Sequence, residues 1–177
     1  MRSMRQAAFA VLVFVVLVVV AGVPGTAQAQ DRQDRIGGHI GVVFPLVTHV
    51  EGNTVTIGDD FKIGVPMGIT VKTSETVAFD LEIVPVLDPQ KHGPIGVPLT
   101  IHPGILKSLG HGLTLGGRVA FDINGASWGF TPLLNKGFPM GNVTWFVEAV
   151  VPIRFQDDVV GETHTAIGFA LHTGVAF

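Results

Sequence analysis

Eight ionisable side chains lie where they could act on one another: Lys62, Lys72, Arg118 and Arg154 against Asp80, Glu82, Asp122 and Glu148. Each sits in a stretch where apolar and small residues alternate, and each falls on the small-residue side. Successive side chains of a strand point to opposite faces, so all eight converge on one side of a sheet. His39, His102 and His172 share that side. A charge taken out of water survives only when it is paired and hydrogen-bonded. Arg118 and Arg154 are therefore expected to face Asp80, Glu82, Asp122 and Glu148, with Lys62 and His172 in the same charge-balanced network. Such a network either plugs an enclosed space or lines a narrow polar path.

Other chemistries have less to stand on. The seven histidines form no His-Glu-x-x-His motif and no helical i, i+4 pair, so no metal site is expected. A hydrolase needs a nucleophile beside a base. Ser108 and His111 share the segment Lys107-Ser108-Leu109-Gly110-His111-Gly112, where serine is ordinarily a turn former. No Ser/His/acid set emerges, and the reading is not an enzyme, with no catalytic residue. Gly37-Gly38 and Gly116-Gly117 lie in strand-like stretches without a following helix, so no phosphate loop is implied. No cofactor is called for. Charge is close to neutral with no basic run, which gives nucleic-acid binding no support.

The elements that must position these charges read as strands. Gly and Pro recur too often for amphipathic helices, and Val, Ile, Thr and Phe dominate between them. Period-2 stretches predict eight strands, at 35–48, 60–72, 75–87, 95–106, 112–123, 126–135, 142–156 and 164–177. Large apolar side chains hold one face of the first, second, third, fifth and seventh: Ile36, Ile40 and Phe44; Ile63, Met67 and Ile69; Phe79, Leu81 and Ile83; Leu113, Leu115 and Phe121; Val143, Trp145 and Val147. The opposite faces carry Gly, Ala and Thr with the charges. Small residues suit a crowded interior, and eight strands enclose a space just wide enough for side chains to fill it. The fold class expected is all-β, a closed antiparallel up-and-down transmembrane β-barrel. Its greasy face meets lipid, and its closure leaves no backbone group unpaired there. Segments of 9–11 residues cross a bilayer when tilted. Prolines recur in similar settings, at Pro45, Pro66, Pro85, Pro98, Pro132 and Pro152. Proline donates no ladder hydrogen bond, so these positions predict a belt near the outer rim where the ladder ends or bulges. The links His49–Asp59, Asp88–Pro94 and Gln156–Thr163 are expected outside, and Thr73-Ser74 and Lys107–His111 on the opposite, periplasmic side.

Arg2 and Arg5 precede an apolar run from Ala7 to Val23, followed by Ala27-Gln28-Ala29. A basic start, a short apolar stretch and small residues two apart predict a secretory signal peptide, 1–29, cleaved after Ala29. One domain, 30–177, remains. It has no cysteine, so its core or a closed sheet must hold it. Tyrosine is absent, leaving twelve Phe and two Trp to supply interfacial aromatics. The last strand places Phe169, Leu171, Val175 and Phe177 on one face and ends on the aromatic.

That terminal pattern resembles the C-terminal signature of bacterial outer-membrane barrels. The whole exported chain resembles the small eight-stranded barrels of the OmpA-type and porin-like families, by pattern only. The resemblance implies a location in the cell outer membrane and contact with its lipid. It also implies recognition of the last strand by the barrel-assembly machinery and a monomeric protein. A structural or narrow-pore role is expected. Two alternatives stay open: a soluble periplasmic lipocalin-like carrier of an apolar ligand, which requires the opposite parity, and an outer-membrane lipid-modifying enzyme, which requires a polar cluster at one rim.

Overall fold

A computed structural model describes residues 35–89, 97–123, 127–157 and 162–177. The predicted leader, residues 1–29, and the starts of the predicted strands at 95 and 126 lie outside these described residues. Among them the regular structure is strand: β1 (Ile36–Val50), β2 (Asn53–Thr56), β3 (Ile63–Gly64), β4 (Met67–Lys72), β5 (Val77–Leu87), β6 (Leu99–Gly110), β7 (Leu113–Asp122), β8 (Ser127–Met140), β9 (Val143–Val150), β10 (Ile153–Asp157) and β11 (Thr163–Ala176). Every pairing is antiparallel. The segments β2, β3 and β4 follow one another along β1, and β9 and β10 follow one another along β8 and β11. The result is about eight strands in sequence order, and β11 pairs back with β1 from His39↔Ala176 to Val50↔Ala166, so the sheet forms a ring.

The ring inverts the burial pattern of a water-soluble sheet. Ile36, Ile69, Leu115, Ile123, Met140 and Phe177 are each more than half exposed on its outer face. Asp80, Glu82, Arg118, Glu148 and His172 are each under 5 % exposed inside it. The alternation along each strand fixes this, because one parity is large and apolar and the other small or charged. The inner face is not uniformly polar. Leu133, Val150 and Ala170 form an apolar cluster there, joined by Val43 and Leu106.

Several strand ends differ from expectation. Lys107-Ser108-Leu109, predicted as a turn, continues β6, with Lys107 paired to Leu115 and Ser108 to Thr114. The turn is tighter, at Gly110-His111-Gly112, where all three residues take positive φ. Two glycines make that left-handed turn accessible. Strand β8 likewise runs past residue 135 to Met140. The expected outer loop His49–Asp59 contains a hairpin, because β1 reaches Val50 and pairs with β2 across a turn at Glu51-Gly52. Beyond it Thr56 gives Asp59 both its amide and its hydroxyl as donors, which lowers the Asp59 pKa below the usual aspartate range.

The prolines mark interruptions of the ladder. Pro66 separates β3 from β4 and Pro152 separates β9 from β10. The β1–β11 register shifts between Pro45 and Val47. The sheet remains connected because proline keeps its acceptor. The carbonyls of Pro66, Pro85, Pro98, Pro132 and Pro152 accept from the amides of Gly41, Val65, Val86, Val151 and Gly168, at 2.8–3.0 Å.

Candidate functional site

Three rows of paired residues cross the inner face and build a charged layer. In the first, His39 pairs with Gly68, Gly68 with Glu82, and Glu82 with His102. In the second, Asp80 pairs with Gly104 and Gly104 with Arg118. In the third, Asn135 pairs with Glu148 and Glu148 with His172. The glycines in the first two rows are gaps that long side chains cross. A Cβ on Gly68 would lie 2.3 Å from the His39 ring, and one on Gly104 would lie 2.5 Å from Arg118 Cγ. Those separations are far inside van der Waals contact, so the absent side chains are what allow His39 to reach Glu82 and Arg118 to reach Asp80.

Arg118 is the hub. Its Nε donates to Asp80 Oδ2 at 2.8 Å and its Nη1 to Glu148 Oε1 at 2.9 Å, with Nη2 3.5 Å from Glu82 Oε2. Asp80, 0 % exposed, also accepts from the Thr70 hydroxyl at 2.7 Å. Asn135 donates to Glu148 Oε2 at 3.2 Å, and His172 Nδ1 stands 3.2 Å from Glu148 Oε1. The two oxygens of Glu82 each meet a histidine, His102 Nδ1 at Oε1 and His39 Nε2 at Oε2, both at 3.1 Å. On its other side His102 Nε2 meets Arg154 Nη2 at 3.0 Å. A guanidinium has no acceptor, so His102 Nε2 must accept, and Nδ1–H is then the donor to Glu82. Phe146 packs edge-on to His39 and His172, closing the layer with an aromatic wall.

The layer separates two cavities. A space of about 600 Å³ extends from it to the rim carrying Ile36, Lys72 and Phe177, with Asp80 and His39 in its wall. A smaller one of about 130 Å³ lies on the opposite side among Pro45, Pro66 and Pro152, with Glu82 and His102 in its wall. Arg118, Glu148 and His172 touch both.

The residues named from the sequence are thus distributed unevenly. Asp80, Glu82, Arg118, Glu148 and His172 meet in one buried layer. Lys62 does not join it. Its Nζ bonds Asp60 at 2.5 Å with both side chains more than a third exposed, because β3 is only two residues long and the alternation breaks before it. Asp122 accepts from the hydroxyls of Thr100 and Ser127 rather than from an arginine. Arg154 donates to His102, Thr131 and two backbone carbonyls rather than to a carboxylate. It lies beyond Pro152, where the interrupted strand re-enters the sheet at β10. Outside the ring, Phe169, Leu171, Val175 and Phe177 are all exposed. The pairing of His39 and His102 to one carboxylate, and the parts played by Thr70, Asn135 and Phe146, had no spacing signal of their own. They follow from cross-strand register. Among the described residues no group of His, Asp and Glu has a geometry that could hold a metal ion.

No protein-family model matches the chain, and no curated protein matches it either.

Proposed function

We propose that this chain is an outer-membrane β-barrel with a structural or narrow-pore role, its outer face in lipid and its lumen plugged by the layer around Arg118. One observation carries the reading: large apolar side chains cover the outside of a ring of strands while ionic groups are buried inside it. Water would drive the opposite arrangement, since burying apolar area is the dominant favourable term in folding. The soluble-carrier alternative needs Phe79, Trp145 and Phe169 inside and Asp80, Glu148 and His172 outside, and each of the six faces the other way.

The outer aromatics support the same reading. Trp128 and Phe155 lie against each other at one end, and Phe138 and Trp145 stack at the other. Trp128 and Phe138 are ten residues apart on β8. That is about 34 Å along a strand, and about 26 Å along the axis at the usual tilt, close to the apolar band of about 25 Å. Phe and Trp here replace the missing tyrosines as interfacial girdles. Outer-face polar groups satisfy one another: Trp145 Nε1 donates to Thr173 Oγ1, which donates to the Phe146 carbonyl. Lipid offers no hydrogen-bond partner, so such groups must find one within the protein.

The leader at 1–29, cleavage after Ala29, the outer-membrane address, assembly through Phe169, Leu171, Val175 and Phe177, and a monomeric state belong to this proposal. The test is membrane fractionation followed by gels of unheated and boiled samples. A protein that needs detergent for extraction and changes mobility on boiling supports the reading. Release by osmotic shock without detergent refutes it.

A further inference from the structure

We infer that His39, Glu82 and His102 form a proton relay through the charged layer, gated by Arg154, so that protons cross where larger ions cannot. The inference rests on the membrane reading above and names what the narrow path carries.

Among the described residues Glu82 is the carboxylate whose two oxygens are each 3.1 Å from a histidine nitrogen. The two histidines belong to different compartments. His39 lines the 600 Å³ cavity and His102 the 130 Å³ cavity. Both spaces are large enough for water. The layer between them is closed to hydrated ions by Arg118, held on Asp80 and Glu148. His172 lies beside the relay, with Nδ1 near Glu148 and Nε2 buried without a partner.

The transfer involves only N–H and O–H bonds and leaves the protein unchanged. Water in the smaller cavity gives a proton to His102 Nε2, and His102 Nδ1–H passes to Glu82 Oε1. Facing a carboxylate, His39 rests with its proton on Nε2. Its ring therefore first turns to the larger cavity and exchanges with water there to the Nδ1–H tautomer. Rotation of the now neutral carboxyl group then presents its proton to His39 Nε2, and His39 Nδ1–H leaves to water in the larger cavity. Reorientation of the rings resets the path, which runs equally in reverse. In the resting geometry the first step is blocked, because Arg154 Nη2 occupies His102 Nε2 at 3.0 Å. Its other donors rest on Thr131 and backbone carbonyls, and the carboxylate that attracts it, Asp122, is engaged with Thr100 and Ser127 and makes no hydrogen bond to it. Arg154 leaving His102 opens the path.

The test uses the full folded chain in phosphatidylcholine vesicles containing a trapped pH-sensitive dye, with a one-unit pH step and valinomycin carrying the compensating potassium. Arg154→Gln is expected to speed proton equilibration about tenfold over the native protein, and Arg154→Gln with Glu82→Gln to return it to the protein-free rate. Should the double variant fail to fold, His39→Asn with Arg154→Gln replaces it, with the same expectation. Equal rates for single and double variants overturn the relay. So does a chloride or potassium permeability, measured in vesicles without valinomycin, that matches that for protons, or a native-like rate for Arg154→Gln. Flotation with the vesicles is read on each sample. A protein that floats but fails these tests refutes only the relay, whereas one that does not float refutes the membrane reading and the relay together.

Discussion

Replacing Arg118 with methionine removes the hub while leaving most of its volume. The substitution deletes two charge-assisted hydrogen bonds, to Asp80 at 2.8 Å and Glu148 at 2.9 Å. Bonds of that kind contribute about 1.5–3 kcal/mol each. It also leaves Asp80, Glu82 and Glu148 buried around an apolar side chain, and breaking a buried ion pair from one side costs about 3–5 kcal/mol. The two estimates overlap, so a loss of about 3–5 kcal/mol is expected. Guanidinium unfolding in lipid vesicles, followed by fluorescence of Trp128 and Trp145, measures it. Adding Glu148→Gln to Arg118→Met should recover about 1–2 kcal/mol, since one unpaired charge disappears, and the cycle reports the coupling. Lys62→Met, which breaks the exposed pair with Asp60, is the control and should cost under about 1 kcal/mol. A loss below 1 kcal/mol for Arg118→Met would mean that water reaches the three carboxylates freely, and the plugged interior would be refuted.

The other predictions test different links. Gly68→Ala places a methyl group 2.3 Å from the His39 ring and should cost about 1–3 kcal/mol by overpacking, where Gly52→Ala, with open space around it, leaves His39 undisturbed. A native-like His39 NMR signal in the Gly68→Ala variant would show that the ring does not cross that gap. Leu81→Arg, on the outer face half-way along β5, should destabilise by about 2–4 kcal/mol in vesicles. A change within about 0.5 kcal/mol, typical of a water-exposed site, would place that face in solvent. Asp59 should titrate below an ordinary aspartate, and Thr56→Val should return it toward the usual value. Its folded pKa is depressed, so the stabilisation it gives is present above the unfolded pKa and fades as pH falls through the folded one. A proton titration by NMR that is the same in both proteins would exclude the Thr56 hydroxyl as the main cause.

Within unbroken strands the side of the sheet was legible in the sequence, because side-chain parity depends only on counting by two; it failed at Lys62, ahead of the short β3. Phe79, Leu81 and Ile83 face outward and Asp80 and Glu82 inward for that reason alone. Strand ends were less legible. Lys107 and Ser108 have turn-like composition, yet the register with Leu115 and Thr114 holds them in the ladder until Gly110. Membership of the charged layer was partly legible. Parity put Arg118, Asp80 and Glu148 on one face, but their level along the axis depends on how the strands from β5 to β9 are staggered. No local pattern fixes that stagger, which is why Lys62, Asp122 and Arg154 were grouped with Arg118 and found other partners. The glycines at 68 and 104 were readable as small inward residues suited to a crowded interior. That each is a gap bridged by a neighbour's side chain follows only from the paired rows His39–Gly68–Glu82 and Asp80–Gly104–Arg118.

Whether lipid touches the outer face is the central claim, and the two tryptophans report on it from opposite ends of the ring. Single-tryptophan proteins made by Trp128→Phe and Trp145→Phe, folded into vesicles, would be quenched with lipids brominated at known depths and with aqueous acrylamide. The account predicts blue-shifted emission from both residues, strongest quenching by bromines near the headgroups, and weak quenching by acrylamide. Free quenching by acrylamide with no response to brominated lipid at either residue would contradict it.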